Sequence, residues 1–274
     1  FNEYGLIDND PDGLGIDAED ALGTLTDVRL SPNFANDNTI FLVTENDNAV
    51  NNDSNVWLST DGGVYWERAF TADWATAGTG IAAFSGEYAT DSVVYVGETG
   101  ALGIWYTANV GKTWSARTVS NLTGIQTIAA PDATTVYVGD SASGNVGKSG
   151  NSGWTWPASL VSNSGATGAV VSMKVNDSTV VVGGTAGTVR RSDDGGATWV
   201  LVGAGGLTAA NVFVDFDGTT VYAVESTTGN VFRSVDGSAW IEIAAASTGD
   251  TAAVELILAP DGTLYAAEDD ATTG

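Results

Sequence analysis

One eight-residue motif recurs along this chain at a nearly constant interval, and that beat limits the fold more than any other property. It reads Ser59-Thr60-Asp61-Gly62-Gly63-Val64-Tyr65-Trp66, then Thr107-Ala108-Asn109-Val110-Gly111-Lys112-Thr113-Trp114. Two more full copies are Ser149-Gly150-Asn151-Ser152-Gly153-Trp154-Thr155-Trp156 and Ser192-Asp193-Asp194-Gly195-Gly196-Ala197-Thr198-Trp199. A fifth, Ser234-Val235-Asp236-Gly237-Ser238-Ala239-Trp240, is one residue shorter, and successive copies start 48, 42, 43 and 42 residues apart. A fixed period of this size marks an architecture of stacked units that bury their apolar faces against one another.

A second motif keeps the same beat. It is a short run rich in β-branched and aromatic residues: Thr39–Thr44, Val93–Glu98, Thr135–Asp140, Thr179–Gly184, Thr220–Glu225 and Thr263–Glu268. Turn formers bound each run, as they bound a strand. Another strand-like segment precedes it, for example Val170–Val175 or Asn211–Phe216, and one follows the motif's tryptophan, as in Trp66–Phe70. No window carries a sustained helical period. Four short strands per ~42 residues is the size of a propeller blade. A sandwich would not repeat a whole four-strand unit with one motif at one place. The 35 glycines suit the many tight turns that such blades require.

The expected fold is therefore all-β: a propeller of four-stranded antiparallel blades over residues 24–274, preceded by an acidic segment, 1–23. About five and a half blades are expected, because Glu268-Asp269-Asp270-Ala271-Thr272-Thr273-Gly274 stands where a third strand and a sixth box would follow. A half-blade leaves strand edges unpaired, so the sequence leads us to expect further blades in the biological protein, of undetermined number.

The motif S/T-x-D-x-G-x-x-W resembles the Asp-box, or BNR, repeat of sialidases, oligoxyloglucan-hydrolase-type xyloglucanases, sortilin-like receptors and photosystem assembly propellers. The phrase Leu30-Ser31-Pro32-Asn33-Phe34-Ala35-Asn36-Asp37-Asn38-Thr39 is similar to the blade entry of sortilin-like and bacterial surface propellers. The resemblance covers residues 24–274. It implies a structural role for the boxes, on the face opposite the usual active site. Elementary chemistry agrees. The side-chain oxygens of Asp61, Asn109, Asn151, Asp194 and Asp236 suit backbone N–H groups that a tight turn leaves open. Trp66, Trp114, Trp156, Trp199 and Trp240 are large enough to pack between blades.

Charge narrows the function. With 34 acidic and nine basic residues the formal net charge is −25, which repels nucleic-acid backbones and anionic lipid headgroups. Cations, cationic partners and neutral glycans stay open. There is no cysteine and no histidine, so thiol nucleophiles, the usual zinc sites and histidine acid–base chemistry are excluded. No apolar stretch approaches the ~20 residues of a membrane-spanning helix.

Two acidic patterns are candidate sites. Asp8-Asn9-Asp10-Pro11-Asp12-Gly13-Leu14-Gly15-Ile16-Asp17-Ala18-Glu19 satisfies D-x-[DN]-x-[DN]-G-x5-E. Asp8, Asp10, Asp12, the Leu14 carbonyl and Glu19 can supply oxygens to one Ca2+. Pro11 and Gly15 depart from the usual loop, and the alternative is a plain acidic linker. Glu98, Asp140, Glu225 and Glu268 fall at one repeat position, just past the second strand, where they form either a ligand-collecting arc or a solvated acidic rim.

Catalysis has less support. The chain has six arginines, and four of them sit at repeat positions flanking the boxes, so no sialidase-like triad stands out. A glycosidase needs two opposed carboxylates, and the sequence names no pair. Trp57, Trp74 and Trp105 are conceivable sugar platforms. The reading is an extracellular, non-catalytic cell-surface propeller serving adhesion, binding or surface-layer assembly, ordered by Ca2+. Its partners would be other surface proteins, itself or glycans, with no nucleic acid and no membrane insertion. The alternative is a fragment of a xyloglucanase- or sialidase-like glycoside hydrolase.

Overall fold

The structure, a computed structural model, describes residues 24–45, 53–73, 79–203, 207–208, 210–245, 253–259 and 261–268. The calcium-loop candidates Asp8, Asp10, Asp12, Leu14 and Glu19 lie outside these residues, as does Trp74.

The described chain forms six antiparallel sheets, five of four strands and a last one of two. Blade one holds β1 (Thr24–Leu30), β2 (Ile40–Glu45), β3 (Asp53–Ser59) and β4 (Glu67–Asp73). A single helical turn, α1 (Phe34–Asp37), joins β1 to β2. Blade two holds β5 (Gly80–Phe84), β6 (Val94–Glu98), β7 (Gly103–Thr107) and β8 (Ser115–Thr118), with α2 (Tyr88–Asp91) between its first two strands. Blade three holds β9 (Ile125–Ala129), β10 (Val136–Asp140), β11 (Asn145–Ser149) and β12 (Val161–Asn163). Blade four holds β13 (Val170–Asn176), β14 (Thr179–Gly184), β15 (Val189–Ser192) and β16 (Val200–Leu201). Blade five holds β17 (Val212–Phe216), β18 (Thr220–Glu225), β19 (Val231–Val235) and β20 (Ile241–Ala244), and the two-stranded sheet is β21 (Ala253–Leu258) with β22 (Leu264–Glu268). Each four-stranded sheet pairs its strands in chain order, so every blade is a simple up-and-down meander.

The described residues divide into two compact units. One takes the chain up to Ser120 together with Ala130–Val136 and Ser149–Thr155, and the other takes the remainder.

Burial explains the two strand patterns seen in the sequence. The second strands β6 and β10 are buried along their whole length, and β14 nearly so, which is why they read as unbroken apolar runs. The first strand β17 instead alternates buried and half-buried positions. Within the first unit, Phe41, Val43, Val56 and Leu58 of blade one pack with Val94 and Val96 of blade two. Within the second, Tyr137 and Val146 of blade three pack with Val170, Val180 and Val182 of blade four. Val181 and Val189 of blade four then pack with Val212, Val214 and Val221 of blade five.

Polar side chains on first strands fix the spacing of these packed sheets. Asp27 Oδ2 accepts the Ala82 N–H at 2.7 Å, Ser172 Oγ accepts the Val214 N–H at 3.1 Å, and Asp215 Oδ2 accepts the Leu258 N–H at 2.9 Å. In each case an acceptor on one blade's first strand holds the backbone of the next blade's first strand.

Candidate functional site

In a four-stranded meander the loops after strands one and three share one end of the blade, and the loop after strand two lies at the other. The boxes sit in the third-to-fourth-strand turn, so they define one end. Four of them have a common hydrogen-bond plan. The buried hydroxyl donates to the Asx side chain, as Ser59 Oγ does to Asp61 Oδ1 at 2.8 Å, Thr107 to Asn109 at 2.9 Å, Ser149 to Asn151 at 2.9 Å and Ser192 to Asp194 at 2.8 Å. The same hydroxyl oxygen accepts the N–H of the fifth box residue: Gly63 at 2.9 Å, Gly111 at 3.2 Å, Gly153 at 3.0 Å and Gly196 at 2.8 Å. The Asx oxygen then accepts the N–H four residues on, from Tyr65, Thr113, Thr155 and Thr198. Gly196 has φ +91°, a conformation that side-chain-bearing residues rarely adopt, which accounts for glycine there.

Three box indoles lock the turn. Trp66, Trp114 and Trp199 donate Nε1–H to the carbonyl of their own box glycine at 3.0, 2.9 and 3.1 Å. Trp114 also stacks on Phe70 at 5.3 Å and meets Phe41 edge-on, both in blade one, while Trp156 is buried. Trp240 packs on the core shared by blades four and five. The fifth box, one residue short, closes differently: Ser234 Oγ donates to the Ser238 carbonyl at 2.5 Å, and Asp236 takes φ +51° on the surface.

These bonds set the acidity of the box carboxylates. Hydrogen bonds from the Thr198 hydroxyl, the Thr198 N–H and Ser192 pull Asp194 down to about 2. The Tyr65 N–H, with Ser59, lowers Asp61 in the same way.

The same end carries a second device. Ser31 Oγ donates to Asp37 at 2.7 Å, and Asp37 accepts the Thr39 N–H at 2.9 Å, closing the loop around α1. Ser85 and Asp91 repeat this around α2, at 2.6 Å and with the Val93 N–H at 2.8 Å. The sequence reading singled out only the first copy. The second is legible in Ser85-Gly86-Glu87-Tyr88-Ala89-Thr90-Asp91, which shares its serine, aromatic, alanine and aspartate with Ser31–Asp37. In blades three and five, Asp132 and Asp217 shorten the device to a turn, accepting the N–H of Thr134 and Thr135 or of Thr219 and Thr220.

At the far end stand the predicted arc carboxylates. Glu98, Asp140 and Glu225 are 1–2% exposed, so none is a solvated rim. Asp140 accepts the Ala142 N–H at 3.0 Å, the Ser143 hydroxyl at 3.0 Å and the Thr123 N–H at 3.3 Å. Glu225 accepts the Thr208 N–H and the Thr228 hydroxyl, the latter at 2.8 Å. Asp140 and Glu225 are thus engaged within their own blades, and the structure describes Glu268 by its backbone alone, paired to Ala253.

Thr123 and Thr208 were missed in the sequence, though a Thr-Gly-Ile/Ala signal opens blades two to four at Thr79, Thr123 and Thr167. In blades two and four a threonine hydroxyl catches that N–H: Thr99 Oγ1 for Thr79 at 2.9 Å and Thr188 Oγ1 for Thr167 at 3.0 Å. Gly184, which replaces the carboxylate in blade four, leaves no room for one, since a Cβ there would lie 2.7 Å from Thr188 Oγ1.

The aromatic and cationic candidates are also placed. Trp57 is buried and donates Nε1–H to Thr44 Oγ1 at 3.2 Å, and Trp105 packs on Phe70 at 5.8 Å. Arg191 pairs with Asp193 at 2.7 Å and reaches the Gly218 carbonyl, while Arg190 bonds the Gly165 carbonyl. Among the described residues no three His, Cys, Asp or Glu side chains converge as a metal site. No described helix is long and apolar enough to cross a membrane.

A cleft of about 350 Å3 opens in the second unit, between the fourth strand of blade three and the box of blade four. Tyr137, Lys148, Leu160, Ser162, Asp194 and Ala197 form its working walls. Lys148 Nζ stands 5.1 Å from the Tyr137 ring centre and 3.5 Å from the Gly195 carbonyl.

No family model matches the chain, and no curated protein matches it in sequence. Solved structures do match in fold. A Niastella koreensis GH74 enzyme superposes with a TM-score of 0.57 at 20% identity, over 79% of this chain and 31% of that one. YCF48 from Cyanidioschyzon merolae gives 0.53 at 14% identity, over 90% of this chain and 94% of that one. A chain of a nidogen/laminin complex gives 0.54 at 12% identity, over 72% of each. This chain thus spans about a third of the GH74 enzyme. The likeness is one of fold: an all-β architecture of blade-like four-stranded sheets, common to an enzyme and to proteins of other kinds.

Proposed function

We propose that this chain is an Asp-box propeller of the sortilin-like or bacterial surface type, acting outside the cell as a non-catalytic scaffold for adhesion, binding or surface-layer assembly. The observation that supports it most is the placement of the acidic side chains. At one blade end they are turn acceptors in repeated copies, and at the other they are buried strand-end acceptors. The negative charge is thus built into the frame, and the exposed remainder gives a surface that attracts cations and cationic partners. In this reading Asp8, Asp10, Asp12, the Leu14 carbonyl and Glu19 bind Ca2+ and order the segment ahead of blade one.

Light scattering and thermal melting of the chain with Ca2+ and with chelator test the proposal. Growth of assemblies and a raised melting temperature in Ca2+ are expected; no response in either signal removes calcium and self-assembly together. A second reading, a piece of a glycan hydrolase, is favoured by the fold likeness to GH74 enzymes. Release of sugars from β-glucans or sialosides, lost when a carboxylate is replaced, would establish that reading in place of ours.

A further inference from the structure

We propose that the cleft beside Lys148 is a slot for an aromatic side chain, tryptophan or tyrosine, presented by a partner protein. The argument comes from the repeat itself, because the equivalent slot one blade earlier is already filled by the chain's own side chains.

Strand registers make the two slots comparable position by position. In blade two, Ile104 of β7 pairs with Arg117 of β8; in blade three, Val146 of β11 pairs with Ser162 of β12. Tyr95 and Tyr137 are the second residues of β6 and β10, and Tyr106 and Lys148 directly precede their boxes. Trp154 and Ala197 are the sixth residues of the boxes that cover each slot.

The filled slot is a layered cation–aromatic stack within the first unit. Arg117 is buried, its guanidinium 5.2 Å from the Tyr106 ring centre and 3.6 Å from that of Trp154. The indole, 67% exposed, lies over the cation as a lid. In the second slot a cation is kept but supplied from the neighbouring strand: Lys148 replaces Tyr106 and stands over Tyr137. What is missing is the lid. Ser162 and Ala197 stand where Arg117 and Trp154 stood, and the space is open.

The chemistry left behind defines the occupant. Lys148 Nζ has no carboxylate within ion-pair distance among the described residues, so its face can receive an aromatic ring as Arg117 receives Trp154. Leu160, 42% exposed, and the Ala197 methyl offer apolar contact to the ring. The Ser159 hydroxyl can take an indole N–H or a phenol O–H, while Ser162 Oγ already accepts the Trp199 Nε1–H at 3.1 Å. The chain's net charge of −25 favours an aromatic residue flanked by lysine or arginine in the partner.

The proposal rests on the reading of the chain as a binding scaffold, but its test is independent of calcium and of self-association. The full 274-residue chain, with alanine methyls labelled with 13C, is titrated with N-acetyl-tryptophanamide and N-acetyl-tyrosinamide. A saturable shift of the Ala197 methyl is expected, with a dissociation constant of about 0.1–10 mM, the range for one small ring. Ala197→Trp supplies the lid in cis and should weaken binding at least about tenfold, read by equilibrium dialysis of the tyrosinamide probe. Lys148→Met, on a half-exposed side chain, should weaken it about two- to fivefold and serves if Ala197→Trp fails to fold. The proposal is overturned if no saturable shift appears, if both folded variants bind undiminished, or if methyl glucopyranoside shifts the same methyl while the aromatic amides do not.

Discussion

The two blade ends use one chemical device at opposite depths, and blade three shows both forms. At the box end, an exposed Asp or Asn accepts N–H groups of its own turn, three or four residues along the chain. At the far end, a buried Asp or Glu accepts an N–H from the segment entering the blade, 17 residues away for both Asp140 and Glu225. The first contact orders a turn. The second ties the entry of a blade to the end of its second strand. Depth decides what each is worth: removing a buried acceptor leaves several donors without water to replace it, whereas an exposed one is partly replaced by solvent.

The sharpest way to break this comparison is Asp140→Ala. The change removes the shared acceptor of the Thr123 and Ala142 N–H groups and the Ser143 hydroxyl, a carboxylate itself only 1% exposed. Bonds to charged acceptors contribute about 1.5–3 kcal/mol each when alone and less than additively when grouped, so a loss of about 2–4 kcal/mol is expected in urea unfolding. A loss below about 0.5 kcal/mol, the level of an ordinary surface change, would mean that the far end is not tied at all.

The difference between the ends is also the difference between what could and could not be read in advance. The boxes were legible because the Ser/Thr and Asx hydrogen bonds that shape the turn lie within eight residues, so the pattern of Ser, Asx, Gly and Trp carries its own geometry. Strand positions were legible for the same reason: β14 and β18 fall where the apolar runs placed them. The role of Asp140 and Glu225 was not, because the Thr123 and Thr208 N–H groups reach them from 17 residues earlier in the chain, and nothing local in Val-Gly-Asp-Ser tells a buried acceptor from a solvated one. The open slot at Lys148 was hidden for a related reason. It arises from two small residues, Ser162 and Ala197, on different blades, and only the register brings their positions together.

A smaller effect is expected at the box end from Ser192→Ala. Ser192 is 1% exposed, and its hydroxyl links Asp194 to the Gly196 N–H. Its loss frees one buried N–H while Asp194 keeps both Thr198 contacts, so about 1 kcal/mol is expected. Equal losses for Ser192→Ala and Asp140→Ala would show that depth does not separate the two ends.

The smallest and most discriminating change is Asp194→Asn, because two boxes of this chain already contain its product. Asn109 and Asn151 accept the same turn N–H and donate Nδ2–H to Thr113 and Thr155 at 2.8 and 3.0 Å. The mutant turn can adopt that geometry, so the melting temperature at pH 7 should change little. What should change is the acid limb. In the unfolded chain the carboxylate titrates near its ordinary 3.8, whereas hydrogen bonds from Thr198 and Ser192 hold it at about 2 in the fold. A lowered folded-state value means that the stabilisation is complete above pH 3.8 and declines as the pH falls from there through 2. Melting curves recorded from pH 5 to pH 2 should therefore fall less steeply for Asp194→Asn than for the parent, with the separation confined to that window. Curves that run parallel throughout would show that the box carboxylate, unlike its hydrogen-bonding oxygen, contributes nothing to the turn.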